Sequence, residues 1–573
     1  MRPLPNEKLT IGLKMTSKSS ALLSLASVLS IAASIASAAD NSDIRLIVQI
    51  TVDGLRGDLL SRYEPSFGPN GFRRLTEVGV WYTDAHHLHA NTETVVGHAT
   101  LATGAHPSEH GMIGNIWFNR ADGRLGYNIE DPDYLMLPVP GFKGQGDQLD
   151  PSQTVAESSG RSPRNLLAST FGDELYKSNN GRSKVIGISS KDRSAVAMAG
   201  HVGDAYWMSV ETGAYETSSY YFDTYPDWVL KWNAKRPADA AIGSKWVLHD
   251  PIDTYLLANN DDRPYEADLK GFGRTFPHSY GDPADGLYYT QVVIGPLGDQ
   301  LTASFGKAAI LGEGLGLDDD VDYLSLSFSG VDATNHFFGP SSLENEEMVR
   351  MLDRTLADLF AFIDENVGRE NVLYLLSADH GMPEMPEHMA DHGHTTARAG
   401  QTVLADQLNV EIRETLGVDK AIKAFFRPYI YLDEDAIETA NVNKRDVERL
   451  IVDSLASRPG VALAMPKEPF PEQRGGFLES PIRNNYHPAR SGDIYVVQSP
   501  YSFLLDPGAV AVMHGSPWRY DTHVPILFAG PGIEAGQVAR RVGTVDVAVT
   551  LSRMFGTTIP SGAAGIALVE VLD

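Results

Sequence analysis

The run IRLIVQITV (44–52) is almost continuously apolar, is rich in β-branched residues and is followed directly by Asp53. Such a run predicts a strand that is covered on both faces, as in a parallel sheet. Similar runs occur further along the chain: SKVIGIS (183–189), YLSLSF (323–328), NVLYLLS (371–377) and VPILFAG (524–530). Helical patterns lie between them, the clearest over residues 344–368 with apolar side chains at i, i+3 and i+4. The alternation predicts an α/β fold with helices on both faces of the sheet.

Acidic and histidine side chains follow three of these predicted strands. Asp53 ends the first, Asp332 and His336 come shortly after the third, and Asp379 and His380 follow the fourth. Ligands of open α/β sheets bind beyond the carboxyl ends of the strands, so we expect these side chains to converge at one edge. A single Asp after a strand is usually a turn or helix-capping residue. Five Asp and His residues in the same position favour a metal centre.

The stretch NTETVVGHATLATGAHPSEHGMIGN (91–115) combines small residues, threonines and histidines. The stretch has no obvious helix or strand pattern, but the small residues VVGHA (95–99) are consistent with a tight turn that opens a helix. We interpret it as the carrier of a hydroxyl nucleophile, which coordination to a cation would activate. Thr92 and Thr94 are both candidates for that nucleophile. His98 and His110 are interpreted as hydrogen-bonded scaffold rather than as ligands.

The composition excludes several classes of partner and site. The 573-residue chain has a formal net charge of −27, which argues against nucleic acid as a partner. It contains no cysteine, so it has neither disulfides nor thiolate metal ligands, and a formylglycine-type sulfatase is disfavoured. Any metal must be bound by Asp, Glu, His or hydroxyl groups.

The first 38 residues resemble a secretory signal peptide. Three lysines precede the apolar run 21–38, and residues 36–38 (Ala-Ser-Ala) have the pattern of a cleavage site. An uncleaved membrane anchor is the alternative, although the run is rich in serine and alanine. Met15 is an alternative start. We expect a periplasmic or secreted protein with no stable membrane insertion after cleavage.

Residues 39–573 are predicted to form one catalytic domain with two insertions. Residues 118 to about 320 are rich in Tyr, Trp, Asp, Gly and Pro and predict a loop-rich cap. Residues 427–500 predict a small α+β insertion.

Several motifs together resemble the type I phosphodiesterase/nucleotide pyrophosphatase branch of the alkaline phosphatase superfamily. The likeness is greatest to the bacterial phosphate-irrepressible alkaline phosphatases, which use a threonine nucleophile. It implies an alkaline-phosphatase-like, mostly parallel central sheet. The motifs are VDGLR (52–56), the stretch 91–115, DATNH (332–336), ADHG (378–381) and HGSPWRYDTHVP (514–525).

The resemblance implies two Zn²⁺ ions per chain and divides their ligands into two sets. The first set is Asp332, His336 and His514; the second is Asp53, Asp379 and His380, together with the hydroxyl of Thr94. The 21-residue interval to Asn115 favours Thr94 over Thr92 as the nucleophile. His523 is the alternative to His514, which is favoured by the motif around it.

The resemblance also implies the type of substrate. Lys191 and Arg193 follow a predicted strand and match the segment that contacts the phosphoryl oxygens in the phosphate-irrepressible enzymes, and Asn115 supplies a further donor. Fixed cationic donors suit the extra charge of a monoester. We therefore predict a phosphoric monoester hydrolase that acts on small-molecule phosphate esters through a phosphothreonine intermediate. The alternatives are a phosphodiesterase/nucleotide pyrophosphatase on the same scaffold and a catalytically silent zinc-binding or carbohydrate-surface protein.

Overall fold

The computed structural model describes residues 43–572 except 145, 149, 151 and 509. The predicted signal segment 1–38 and the alternative start at Met15 lie outside the described residues. Within the described part of the chain, no helix has the length and apolarity needed to cross a bilayer.

A ten-stranded sheet forms the centre of the described residues. Its strands are β1 (Leu46–Val52), β2 (Val80–His86), β5 (Val185–Ser189), β6 (Asp204–Met208), β7 (Tyr215–Glu216), β10 (Asp322–Phe328), β11 (Val372–Ser377), β18 (His523–Ala529), β19 (Gly536–Val538) and β20 (Val542–Gly543). Their order is β19-β2-β18-β11-β1-β10-β5-β6-β7, and β20 also pairs with β2.

The middle of the sheet is parallel and places the ends of its strands side by side. β1 pairs in parallel with both β10 and β11, with Thr51 opposite Ser327 on one side and Ser377 on the other. β5 extends the parallel arrangement beyond β10. β18 is antiparallel to β11 and to β2, so the sheet is mixed but mostly parallel. The residues that follow β1, β10 and β11 therefore meet at one edge.

Side chains alternate between two cores along the central strands. In β1, Leu46, Val48 and Ile50 belong to one hydrophobic cluster and Ile47 to another. Because both faces of the strand are buried against apolar side chains, the run 44–52 carries few polar residues.

Eighteen α-helices occur among the described residues, and some of them pack on the two faces of the central sheet. They are α1 (Leu59–Tyr63), α2 (Phe72–Val78), α3 (Thr94–Thr103), α4 (Pro107–His110), α5 (Phe171–Ser178), α6 (Asp192–Ala199), α7 (Asp227–Asn233), α8 (Tyr288–Ile294), α9 (Pro296–Glu313), α10 (Gly330–Phe338), α11 (Leu343–Asn366), α12 (Pro386–Asp391), α13 (Gln401–Leu416), α14 (Glu434–Thr439), α15 (Lys444–Leu455), α16 (Glu479–Asn485), α17 (Arg519–Thr522) and α18 (Asp546–Met554). α11 is the helix expected from the apolar stripe over 344–368, and Leu352, Leu356 and Leu359 on that stripe are buried.

The remaining strands lie in the regions predicted as insertions and around them. A four-stranded sheet, β13-β14-β16-β15, spans the predicted small insertion and begins five residues before it. Its strands are β13 (Ile422–Phe426), β14 (Tyr429–Leu432), β15 (Val461–Pro466) and β16 (Ile494–Gln498). Two-stranded sheets are formed by β3 (Ile116–Asn119) with β4 (Arg124–Tyr127), β8 (Lys245–Trp246) with β9 (His278–Ser279), and β12 (Arg398–Ala399) with β17 (Phe503–Leu504).

The region predicted as a loop-rich cap, 118 to about 320, is not made of loops alone. It includes β5, β6 and β7 of the central sheet and the long helix α9. Its division from the rest of the catalytic domain stays a prediction.

Candidate active site

Three buried carboxylates meet at the edge formed by the ends of β1, β10 and β11. Asp53 follows β1, Asp379 follows β11 by two residues, and Asp332 lies in the first turn of α10 after β10. Each is 0% exposed. Asp379 Oδ1 accepts hydrogen bonds from the backbone N–H of Gly54 (3.2 Å) and of His380 (3.0 Å), which ties the ends of β1 and β11 together.

Three histidines surround these carboxylates in one shared orientation. Nδ1 of each ring donates to a backbone carbonyl at 2.8 Å: His336 to Val512, His380 to Gly381 and His514 to Thr92. Because a carbonyl can only accept, the lone pair of a neutral ring is on Nε2, which faces the carboxylates. This fixed tautomer is the arrangement that metal-binding histidines adopt.

The distances bring the six predicted ligands into one cluster. Nε2 of His380 is 3.3 Å from Asp53 Oδ1 and 3.4 Å from Asp379 Oδ2. Asp332 has His336 Nε2 at 3.3 Å from Oδ2 and His514 Nε2 at 3.6 Å from Oδ1. The rings of His380 and His514 stack with centroids 3.5 Å apart.

The donor atoms of this cluster are spaced to bind a cation rather than to form hydrogen bonds with each other. Those of Asp53, Asp379 and His380 lie within 4.8 Å of one another, and so do those of Asp332, His380 and His514. Among the described residues, Asp53 Oδ1, Asp332 Oδ1 and His380 Nε2 are buried without a hydrogen-bond partner. Buried polar atoms without partners are rare in proteins, and carboxylate and imidazole donors suit Zn²⁺.

The division of the cluster differs slightly from the one that the resemblance implies. His380 is within reach of both groups, whereas the predicted division assigns it to Asp53 and Asp379 alone. His336 contacts the group formed by Asp332, His380 and His514, because its Nε2 lies 3.3 Å from Asp332 Oδ2. The assignment of each residue to one ion stays a prediction.

Nearby charges set the ionisation of the buried groups. Burial and Asp332 would raise the pKa of Asp53. Lys191 and His380 outweigh them and hold the Asp53 pKa below its ordinary value. Burial alone lowers the pKa of His380, but Asp379 and Asp53 reverse this effect and raise it to about 9. Burial, reinforced by the charge of Asp53, raises the pKa of Asp379.

Lys191 bridges two of the carboxylates. It precedes α6, and its ammonium is 2.7 Å from Asp53 Oδ2 and also pairs with Asp332 Oδ2. A phosphoryl group bound beside these two carboxylates would therefore lie close to the Lys191 ammonium, as the predicted contact requires.

The two candidate nucleophiles have different surroundings. Thr94 is the first residue of α3, is fully buried and has its Oγ1 3.5 Å from Arg193 Nη2. The hydroxyl of Thr92 donates to the carbonyl of Ser516 and accepts from its N–H, both at 3.0 Å. The Thr92 hydroxyl is therefore hydrogen-bonded to the backbone, whereas the Thr94 hydroxyl faces the guanidinium of Arg193.

Asn115 and Arg193 complete the polar end of a cavity of about 360 Å³ that also includes Lys191, Asp332 and His514. Asn115 Oδ1 accepts from the N–H of Val95 at 3.1 Å, so its amide nitrogen is available to a ligand. All the predicted site residues are thus brought to one region of the described structure.

Two supporting ion pairs were not anticipated from sequence. Asp150 Oδ2 is 2.5 Å from Arg193 Nη1 and holds the guanidinium in position. Glu93 accepts from the N–H of Asn115 at 2.6 Å and lies 3.5 Å from Arg427, which donates to the carbonyl of His514. The two residues of each ion pair lie far apart in the chain, and Asp150 and Arg427 belong to no helix or strand. No sequence pattern could therefore predict which residues pair.

The remaining histidines of the motifs have structural contacts. His98 Nδ1 lies 2.8 Å from the carbonyl of Thr94 and its Nε2 lies 2.9 Å from Ser327 Oγ. His98 Nδ1 is also 3.1 Å from Asp379 Oδ2. His110 Nδ1 accepts from the N–H of Met112, and its Nε2 is 3.2 Å from Thr100 Oγ1.

His523, the alternative to His514, belongs to a different group. It lies near Asp84 and His86, and its Nε2 donates to the carbonyl of Thr83 at 2.9 Å. Arg519 already pairs with the carboxylate of Asp84 at 3.0 Å.

Comparison with known proteins identifies the family. The family model described as type I phosphodiesterase / nucleotide pyrophosphatase matches residues 47–517. The chain belongs to this family. The predicted resemblance is confirmed, and the protein is a phosphate ester hydrolase.

The alignments with three relatives each cover 92% of the chain. Alkaline phosphatase PafA of Elizabethkingia meningoseptica is 32% identical over 534 residues, which is 92% of this chain and 94% of the relative. Alkaline phosphatase PhoV of Synechococcus elongatus is 31% identical over 542 residues, 92% of this chain and 93% of the relative. A Myroides odoratus protein described as a calcium-transporting ATPase is 32% identical over 534 residues, 92% and 95% of the two chains.

A crystal structure of PafA confirms the predicted fold class. It superposes with a TM-score of 0.83 at 31% identity and covers 92% of this chain and 99% of its own. A second PafA structure carries substitutions of one threonine, one asparagine, one lysine and one arginine.

Gly97 sets the distance between the start of α3 and Asp379. A Cβ at this position would lie 1.9 Å from the carbonyl oxygen of Asp379, which is backbone and cannot move aside. We expect Gly97→Ala to lower the free energy of unfolding by about 3 kcal/mol and to reduce activity, because it separates Thr94 from Asp379. Denaturant unfolding together with steady-state kinetics measures both effects.

Gly306→Ala is the matched control. Gly306 is also a buried helical glycine, but the nearest atom to its Cβ would be the end of the Leu326 side chain at 2.9 Å. We expect a smaller loss of stability and unchanged activity. Equal effects of the two substitutions would contradict the role of Gly97.

Proposed function

We propose that this member of the family is a metal-dependent phosphomonoesterase that acts through a phosphothreonine at Thr94. The observation that carries the proposal is the position of Thr94: it is the first residue of α3, and its hydroxyl contacts Arg193, which lines a cavity together with Asp332, His336 and His514 of the cluster. The alkaline phosphatase relatives and the four residue types replaced in the PafA variant support it.

We propose two Zn²⁺ ions as the native cofactor. The six Asp and His residues of the cluster would hold them, with the Thr94 hydroxyl beside the group that contains Asp53. When bound, the ions would supply Lewis acidity that stabilises the charges of an in-line displacement and activates the hydroxyl. A periplasmic or secreted location remains a prediction from the signal segment.

Four side chains at or beside the cavity have roles in the proposed reaction. The Thr94 hydroxyl gives up its proton as the bond between its Oγ1 and phosphorus forms and the bond to the leaving oxygen breaks, and the leaving oxygen takes up a proton to become the alcohol. Water then hydrolyses the phosphothreonine, which releases phosphate and restores the Thr94 hydroxyl. Arg193, Lys191 and Asn115 hold the phosphoryl oxygens. A loose phosphoryl transition state depends mainly on such positioning and electrostatic stabilisation. Because Asp150 fixes the guanidinium of Arg193, little reorganisation is required at that position.

The charge of the cavity favours monoesters over diesters. A monoester dianion presents three non-bridging oxygens, and Lys191, Arg193 and Asn115 are three donors at the same end of the cavity. A diester has one non-bridging oxygen fewer to contact them. The family description, which includes phosphodiesterases, supports diester hydrolysis on the same scaffold as the second candidate.

We expect kcat/KM for p-nitrophenyl phosphate to exceed that for bis-p-nitrophenyl phosphate, and Lys191→Ala to reduce the monoester value by about 100-fold or more. The kcat/KM for the diester should fall less, because a diester carries less negative charge and therefore interacts less strongly with the Lys191 ammonium. Steady-state kinetics on the zinc-loaded enzyme with both substrates measures the two ratios.

Lys177→Ala is the control, since Lys177 lies on α5, is more than half exposed and pairs with Glu174. Metal content measured on the Lys191 variant separates loss of the phosphoryl contact from loss of metal. A diester preference in the wild-type enzyme, or equal losses on both substrates with metal content intact, would refute the monoesterase proposal.

A further inference from the structure

The cavity beside the candidate metal cluster has a wall that the phosphoryl group does not use. We call it the apolar wall: it consists of Val293, Ile294, Ala333, Phe337, Val510 and Met513. The residues come from three elements, namely the end of α8, the side of α10 that lines the cavity and the segment just before His514.

The apolar wall continues directly from the candidate metal ligands. On α10, Ala333 and Phe337 each follow a candidate ligand, Asp332 or His336, by one residue, which places them about 100° further round the helix. The same turn of helix therefore presents ligands to the cluster and apolar side chains to the cavity.

Hydrogen bonds hold the three elements of the wall together. Thr334 Oγ1 donates to the carbonyl of Ile294 at 2.7 Å and joins α10 to α8. The segment that contains Val510 and Met513 is attached to His336 in both directions: the N–H of Ala511 donates to its carbonyl at 2.8 Å, and its ring donates to Val512. The wall is therefore fixed relative to the metal cluster.

Apart from Asp332 and His336, the charged residues of the cavity belong to elements other than the three that form the wall, and two pairs of them form ion pairs. Arg193 pairs with Asp150 at 2.5 Å, and Arg161 pairs with Asp192 at 2.8 Å. Glu216 belongs to the same charged side, since it interacts electrostatically with Asp192 and Arg161.

In-line displacement determines which part of a substrate meets the wall. The hydroxyl of Thr94 lies on the side of Arg193, so the leaving oxygen must depart on the opposite side of phosphorus. Away from Arg193, the residues of the cavity include Asp332 and His336 and, next to them on α10, Ala333 and Phe337. The alcohol that leaves would therefore be in contact with apolar side chains.

We propose that the apolar wall binds the leaving alcohol and makes the enzyme select monoesters of uncharged, apolar alcohols over monoesters of small polar alcohols. The inference rests on the proposed function, because it assumes that a phosphate monoester occupies the cavity with Thr94 as its nucleophile. Removing apolar surface from water favours such alcohols, whereas the hydroxyls of a polar alcohol would lose hydration without gaining partners.

The test compares 2-phenylethyl phosphate, ethyl phosphate and glycerol 1-phosphate with the zinc-loaded enzyme. All three release a primary alcohol, so differences in the chemical reactivity of the leaving group are small. We expect kcat/KM for 2-phenylethyl phosphate to be at least about tenfold higher than for the other two esters. Equal values for the three esters would overturn the inference and leave the proposed function intact. Absence of hydrolysis of all three would remove both.

Two substitutions test whether the wall causes the preference. Ala333→Leu fills part of the cavity and should reduce the ratio of the 2-phenylethyl to the ethyl ester about tenfold, and Phe337→Ala removes a ring from the wall and should also reduce it. Ala308→Leu is the matched control, because Ala308 is likewise a partly buried helical alanine packed on the same core but lies outside the cavity. An unchanged ratio in both wall variants would refute the inference. If Ala333→Leu does not fold, Phe337→Ala and the wild-type comparison decide.

Discussion

Thr94→Ala is expected to lower kcat for p-nitrophenyl phosphate by about a thousandfold or more while phosphate still binds. The substitution removes the only atom that would form the covalent intermediate, whereas Lys191, Arg193 and Asn115 remain. Its cost in stability should be small, since the side-chain contact of the Thr94 hydroxyl is a long one to Arg193 at 3.5 Å. Steady-state kinetics and phosphate inhibition measure the two properties separately.

Two neighbouring substitutions control for the position and the chemistry. Thr94→Ser keeps a hydroxyl and should retain measurable activity. Thr92→Ala removes a hydroxyl bound to Ser516 and should keep kcat within about tenfold of wild type, with about 1 kcal/mol of stability lost. Mass spectrometry of acid-quenched enzyme should find the phosphate on Thr94. A loss of kcat larger than tenfold in the Thr92 variant, or phosphate found on a residue other than Thr94, would contradict the role of Thr94 as the nucleophile.

His514→Ala is expected to reduce bound zinc from about two ions per chain towards one and to lower kcat/KM by about 100-fold or more. His514 is 1% exposed, its Nε2 faces Asp332, and its ring stacks on that of His380. Removal of the ring therefore affects both groups of candidate ligands. Metal analysis after dialysis, followed by activity with and without added zinc, measures the effect.

His523→Ala is the control that the sequence itself suggests. His523 lies in the same motif, but it packs against His86 and donates to the carbonyl of Thr83. We expect zinc content and activity to be close to wild type. Loss of zinc from the His523 variant with retention in the His514 variant would reverse the assignment.

The five principal strands could be predicted because their apolar runs are continuous. A strand buried on both faces needs such a run whatever surrounds it, and the observed bounds differ from the expected ones by no more than two residues at either end. The direction of pairing was not predictable in the same way. β18 has the same apolar character as β1, yet it is antiparallel to its neighbours, because composition does not depend on strand direction.

The candidate site shows the same division. Asp53, Asp332 and Asp379 could be expected to converge because each follows a strand, and the sheet order brings β10, β1 and β11 together. The pairing of Arg193 with Asp150 could not, because Asp150 lies in irregular structure and its position depends on tertiary packing. The short strand β7, two residues long, also lacks a periodic signal.

The hydrogen bond from His514 to the carbonyl of Thr92 joins residues 422 positions apart in the chain. A contact of such long range closes a very large loop, which costs chain entropy and is associated with slow folding. A nascent or truncated chain that ends before residue 514 can therefore contain most of the central strands and still lack a working reaction centre. The proposed metal site would therefore be complete only when synthesis of the polypeptide is almost finished.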